Sequence, residues 1–155
     1  MNIPTKNKII IKLAATTILI LLSAVPVSAK MVSIANEIVN MRSGPSQKNA
    51  VLWELGKGYP LKVIGSQGAW YKVVDYENDT GWIYKKLVNR APHLVVKKKI
   101  INIRSGPGKK YRIIRQAKKG VVFSTLERKN SGWVKVRHEE TQLVGWVKRS
   151  LLWGW

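Results

Sequence analysis

The sequence predicts an all-β protein, in which two small β-barrels follow one another behind an N-terminal export segment. Two observations predict this fold class. The chain repeats itself at a spacing of about 62 residues, which is typical of duplicated structural units. Short runs rich in Val, Ile, Trp and Tyr also alternate with turn formers such as Gly, Pro, Asn and Asp. We therefore expect a signal peptide at residues 1–29 and barrels at residues 30–90 and 91–155.

The N-terminal segment has the composition of a secretory signal peptide. Three lysines precede the uncharged residues 13–25, and small residues end the segment at Ala29. As a helix, that uncharged run would span about 20 Å, which is shorter than the roughly 30 Å hydrocarbon core of a bilayer. We expect cleavage after Ala29 and a secreted or periplasmic protein. The alternative is an uncleaved membrane anchor.

Three motifs occur once in each predicted unit. The spacing between copies grows from 62 to 64 residues along the chain, which places single-residue insertions in turns. About five short strands are expected per unit, including 37–41, 61–66, 70–75 and 81–84 in the first. A small closed barrel would remove the exposed edges of such a sheet. The repeated segments are 40–45 with 102–107, 70–73 with 133–136, and 81–83 with 145–147.

These motifs resemble the bacterial SH3-like (SH3b) family, whose units open with Asn-x-Arg-Ser-Gly-Pro and close with Trp-x-x-Val and Gly-Trp-Ile/Val. Both copies carry all three elements, and together they cover residues 35–152. The first copy, with Val51, Leu52 and Trp53 after its Gly-Pro turn, is similar to exported two-unit members. The resemblance implies barrels of five or six strands and a binding role, often toward peptidoglycan or beside a wall hydrolase.

Catalysis is not expected from this sequence. The chain has no cysteine, which excludes the Cys-His peptidase that often accompanies the family, and no hydrolase domain is recognisable. His93 and His138 lie at unmatched positions in the two units, outside metal-ligand or triad spacings. Glu139 and Glu140 are adjacent, so a strand would point them to opposite faces. We expect no catalytic residue, metal ion or cofactor.

Four tryptophans recur at matched positions and are the first candidates for ligand binding. Strand alternation places them opposite the aliphatic face of their strands. One interpretation is an aromatic groove for a peptide or glycan. The other is that these side chains close the barrel ends under the loops. The four residues are Trp70 and Trp82 in the first unit, and Trp133 and Trp146 in the second.

Two arginines, Arg42 and Arg104, precede the repeated Ser-Gly-Pro sequence. A planar guanidinium in a loop could bind a carboxylate or phosphate of a ligand. It could equally bind the carbonyls of its own turn and hold the loop in place.

Positive charge is concentrated in the second unit. Without residues 1–29, the chain carries 25 basic and 8 acidic groups, a formal charge of +17; residues 30–92 contribute +4 and residues 93–155 contribute +13. The second unit could therefore attract wall polymers or anionic lipids, although a merely solvated basic surface is the alternative. Candidate anion contacts are Lys109, Lys110, Arg112, Lys118 and Lys119.

These observations favour a non-catalytic binding module of the bacterial cell envelope, with peptidoglycan or another anionic envelope polymer as its partner. The alternative is a periplasmic scaffold that binds an extended segment of an envelope protein. A membrane surface would also suit the basic second unit. Nucleic acid is favoured by charge alone, and export argues against it.

Overall fold

A computed structural model describes residues 30–155; the predicted signal peptide lies outside the described residues. In the first half of the chain, seven strands form one antiparallel sheet, and one short 3-10 helix precedes the last strand. Its strands are β1 (Met31–Ile34), β2 (Ile38–Arg42), β3 (Val51–Gly56), β4 (Pro60–Gln67), β5 (Trp70–Val74), β6 (Thr80–Tyr84) and β7 (Val88–Asn89), with the 3-10 helix (Lys85–Leu87) before β7.

The second half repeats this arrangement strand for strand. Its strands are β8 (His93–Val96), β9 (Ile100–Arg104), β10 (Ile113–Lys118), β11 (Val122–Arg128), β12 (Trp133–Arg137), β13 (Val144–Lys148) and β14 (Leu152–Gly154), with a 3-10 helix (Arg149–Leu151) before β14. Within the described part of the chain, no helical segment has the length and hydropathy that crossing a bilayer requires.

The two sheets share one topology. The strand order is β3-β2-β6-β5-β4-β1-β7 in the first and β10-β9-β13-β12-β11-β8-β14 in the second. Strands β2 and β6 pair only at Arg42 and Trp82, so the sheet opens between them. The predicted fold class, two tandem small β units of SH3-like type, is confirmed.

Each sheet wraps its own hydrophobic core. Alternate residues of the strands point inward, as the period of two in a strand requires. The first core contains Val32, Ile34, Val39, Met41, Leu55, Leu61, Val63, Val73 and Ile83. The second contains Leu94, Val96, Ile101, Ile103, Ala117, Phe123, Val134, Val136, Val147 and Leu152.

A glycine brings β6 close to β2 in each unit. A Cβ atom added to Gly81 would lie 2.5 Å from Cγ of Met41, and one added to Gly145 would lie 2.4 Å from Cγ2 of Ile103. Both distances are too short for a real contact. The repeated Gly-Trp sequence therefore places a small residue against the core and a tryptophan next to it on the opposite face.

The segment that joins the two sheets is hydrogen-bonded to both of them. The hydroxyl of Ser33 in β1 donates to the carbonyl of Ala91 at 2.8 Å. The amide of Thr125 in β11 donates to the carbonyl of Pro92 at 2.9 Å. Outside this segment, Lys119 of the second unit forms an ion pair with Glu77 of the first. Residues 90–92 are therefore held from both sides.

Candidate functional site

The outer face of the first sheet carries the candidate residues in cross-strand rows. Trp70 on β5 pairs with Tyr84 on β6, while Trp82 on β6 lies between Lys72 on β5 and Arg42 on β2. Residues paired across an antiparallel ladder share a face, so these side chains lie together. Trp70 and Trp82 are both half-buried, opposite the buried face of their strands.

A groove of about 370 Å³ opens on this face where β2 and β6 diverge. At one end, the rings of Trp70 and Tyr84 have centroids 5.5 Å apart and planes tilted by 58°, a favourable arrangement for an aromatic pair. The groove thus offers an apolar platform with polar groups around it. Its walls also include Ile38, Asn40, Arg42, Gln47, Glu54 and Leu87.

The two repeated arginines bind the loops that follow them. One guanidinium nitrogen of Arg42 donates to the carbonyl of Asn49 at 2.9 Å. In the second unit, Arg104 donates to the carbonyls of Lys109 and Tyr111 at 3.0 and 2.8 Å. These bonds use part of each planar fork and fix the Ser-Gly-Pro loop beside the groove. Ligand binding by the remaining nitrogens stays a prediction.

Glu54 and Tyr84 line the groove, although the sequence did not mark them as candidates. Glu54 on the edge strand β3 pairs with Asn40 on β2, and its side chain is exposed. Neither residue belongs to a repeated motif, because the second unit has different residues at these places. Only the cross-strand register shows that they share a face with Trp70.

The second sheet places its matched residues in the same rows, with different surroundings. Trp133 pairs with Lys148, while Trp146 lies between Lys135 and Arg104. Trp133 is half-buried, whereas Trp146 is only 9% exposed. The ammonium nitrogen of Lys129 lies 6.0 Å from the centroid of the Trp146 ring, within reach of a cation–π interaction. Trp146 therefore has less surface for a ligand than Trp82.

The predicted anion contacts lie on and beside β10, the edge strand of the second sheet. Lys109, Lys110 and Arg112 belong to the loop before it, Lys118 ends it, and all four are exposed. Lys119 differs from them because it pairs with Glu77 and lies 5.7 Å from the ring centroid of Tyr76. It stabilises the contact between the units as well as adding to the charge.

Asp75 is the buried carboxylate within residues 30–155, and its hydrogen bonds are those of a structural residue. It accepts the hydroxyl of Tyr59 at 2.9 Å and the amides of Glu77 and Asp79 at 2.8 and 2.9 Å. Burial, together with the nearby Asp75 charge, raises the pKa of Tyr59. A carboxylate that accepts these three bonds holds the turn that follows β5.

Part of a longer bacterial protein is similar to this chain. The chain is 26% identical over 125 residues to YrvJ of Bacillus subtilis (strain 168), a protein named as an N-acetylmuramoyl-L-alanine amidase; the match covers 74% of this chain and 24% of that one. The chain thus spans about a quarter of the length of this relative.

Two solved structures show partial likeness. NlpC2 from Trichomonas vaginalis is 15% identical, with a TM-score of 0.37 over 81% of this chain and 48% of that one. An NlpC/P60 family protein from Bacillus cereus is 12% identical, with a TM-score of 0.38 over 80% of this chain and 56% of that one.

The match to a family model is more extensive. The model of the bacterial SH3 domain fits this chain twice, at residues 35–89 and 97–154. Each match covers most of one sheet. With both halves matched, the chain belongs to the bacterial SH3 domain family.

Proposed function

We propose that this protein is an exported, non-catalytic binding module of the bacterial cell envelope that recognises peptidoglycan through its SH3-like units. The groove with Trp70, Tyr84 and Arg42 on its walls carries this proposal. An aromatic platform binds the apolar faces of sugars and peptides, and polar groups beside it fix their orientation. Grooves lined by aromatic residues are also how SH3 domains hold extended ligands.

The relative and the charge both favour a wall polymer as the ligand. The matched protein from Bacillus subtilis is named as an amidase, and a wall amidase must be held close to its polymer. The chain covers about a quarter of that protein. A high positive charge, greatest in the second unit, increases the rate of encounter with anionic polymers.

Retention on purified sacculi tests the proposed function. We expect the protein to sediment with sacculi at low salt, where electrostatic attraction extends over tens of ångströms. Trp70→Ala should weaken retention about tenfold, because it removes the larger ring of the groove's aromatic platform. Trp53→Ala is the matched control, since Trp53 is 53% exposed on β3 and does not line the groove.

If sacculi do not retain the protein at low salt, the proposal is wrong. Retention that falls equally in the two tryptophan variants would show that the groove has no special part in it.

A scaffold that binds an extended segment of an envelope protein is the second candidate, and the edge strand β3 favours it. Val51, Leu52 and Trp53 are exposed there by 46, 45 and 53%. The outer backbone groups of an edge strand can pair with an added strand. A protein partner that survives crosslinking, and is lost in Trp53→Ala, would favour this function if sacculi fail to retain the protein.

A further inference from the structure

The outer faces of the two sheets differ in charge within one cross-strand row. In the first unit, Glu54 pairs with Asn40, and Tyr84 pairs with Trp70. Arg42 pairs with Trp82, so continuing that antiparallel register by two residues places Asn40 opposite Tyr84. The row therefore runs Glu54, Asn40, Tyr84, Trp70, with a carboxylate at one end and two aromatic rings at the other.

In the second unit, the same row lacks both the carboxylate and the second aromatic ring. Gln116 pairs with Asn102 and donates to its side-chain oxygen at 3.0 Å, and Trp133 pairs with Lys148. An amide thus replaces Glu54, and a lysine replaces Tyr84. The asparagine and the tryptophan of the row are the same in both units. The two rows share these two residues and differ in the charge that they present.

The first row suits a ligand that carries a free ammonium group. Glu54 is exposed and belongs to none of the three ion pairs found within residues 30–155. A carboxylate forms charge-assisted hydrogen bonds with an ammonium group, and the faces of Trp and Tyr also attract cations. In the second unit, Lys148 in the row and Lys129 near Trp146 would repel the same group.

The length of the row sets the size of the ligand. Two strand spacings of about 4.8 Å and the wider gap between β2 and β6 separate Glu54 from Trp70, so their distance along the sheet exceeds about 14 Å. An extended chain rises about 3.3 Å per residue, so at least about four residues are needed to cover this distance. A short peptide can therefore reach the carboxylate with one end while its other end lies on the aromatic pair.

We propose that the groove of the first unit selects an extended peptide of at least about four residues bearing a free ammonium group, and that the matching row of the second unit does not. The proposal rests on the proposed binding of peptidoglycan, whose peptides are the source of such a ligand. Glu54 binds the ammonium group, and Trp70 with Tyr84 binds the apolar part of the peptide.

A pair of synthetic peptides tests this selection. The probes are a tetrapeptide with a blocked N-terminus and one lysine, and the same peptide with that lysine acetylated. In calorimetric titrations, the protein should bind the amine form about three- to tenfold more tightly, as expected for a partly exposed charge pair. Glu54→Gln should abolish this difference by weakening only the binding of the amine form.

Glu140→Gln is the matched control, because it removes the same charge at an exposed residue of the second unit. It should keep the full preference for the amine. Glu54→Gln is an isosteric change at an exposed position. An unchanged NMR spectrum of the backbone amides would show that the variant is folded. Equal affinity for the two peptides, no binding of either, or an undiminished preference in Glu54→Gln would overturn the selection.

The sacculus experiment distinguishes a failure of the proposed peptide selection from a failure of the proposed wall binding. Sacculi retained through Trp70, with peptides that are not distinguished, would leave the wall binding intact and refute the role of Glu54. Sacculi that are not retained would refute both.

Discussion

Arg42 and Arg104 occupy the same place in the two repeats and make the same kind of contact. Each guanidinium donates to a carbonyl five to seven residues farther along the chain. The guanidinium of arginine holds its donors in a fixed plane, whereas the ammonium of lysine is a compact group at the end of a flexible stem. The fixed plane suits a donor that must keep one position against the loop carbonyls.

Arg104→Lys should therefore destabilise the second unit by about 1 kcal/mol, the usual net contribution of a hydrogen bond. Arg115→Lys is the control, because Arg115 is an exposed arginine on the nearby strand β10. Thermal unfolding of the two variants should show a lower midpoint for Arg104→Lys alone. Equal midpoints would mean that the loop bonds contribute nothing measurable.

Two residues of the groove, Glu54 and Tyr84, could not be predicted from the sequence, and the reason is physical. Trp70 and Arg42 were found because they recur with Trp133 and Arg104 in repeated motifs. Glu54 and Tyr84 have Gln116 and Lys148 as counterparts, so repetition could not mark them. Their role depends on which strands are neighbours and in which register, and a single sequence does not contain that information.

At the level of the elements, the strands with alternating patterns were predicted to within one or two residues. They are β2, β4, β5 and β6 in the first unit. Strands β1, β3 and β7 were not specified. Four of the six residues of β3 are consecutive and exposed, so β3 has no alternation, while β1 and β7 are too short to show any. The expected five or so strands per unit became seven.

The close crossing of β6 and β2 gives a second prediction. Gly81→Ala should destabilise the first unit by about 1–3 kcal/mol, because the added methyl group would overlap Met41 and the core must shift. Gly56→Ala is the control, since a Cβ there would lie 3.9 Å from its nearest neighbour. Chemical denaturation measures both. If the two variants lose equal stability, the overlap at Gly81 is relieved without cost.

At the scale of the whole molecule, the ion pair between Lys119 and Glu77 makes the contact between the units sensitive to acid. The hydrogen bond from Lys119 lowers the pKa of Glu77. A carboxyl group whose pKa is lower in the folded state stabilises that state above its ordinary pKa. This contribution disappears as the pH falls through the lower, folded-state value.

Glu77→Gln should accordingly be less stable than the natural protein near neutral pH and equal to it in strong acid. The difference should be small, because both partners are about half exposed. Thermal unfolding across pH 2–7 measures it, with Glu140→Gln as a control that should show no such convergence. A Glu77→Gln difference that stays constant down to the lowest pH would show that the pair is not formed.

The hydrogen bonds that hold residues 90–92 bear on how such proteins can be recombined. Ser33 binds the carbonyl of Ala91 from one unit, and Thr125 binds that of Pro92 from the other. If one unit were exchanged for an unrelated barrel, one linker carbonyl would lose its hydrogen-bond donor. The surfaces that meet at the new boundary would also not be complementary. The segment suited to transfer into another protein, in evolution or by engineering, is thus the pair of units together with its linker.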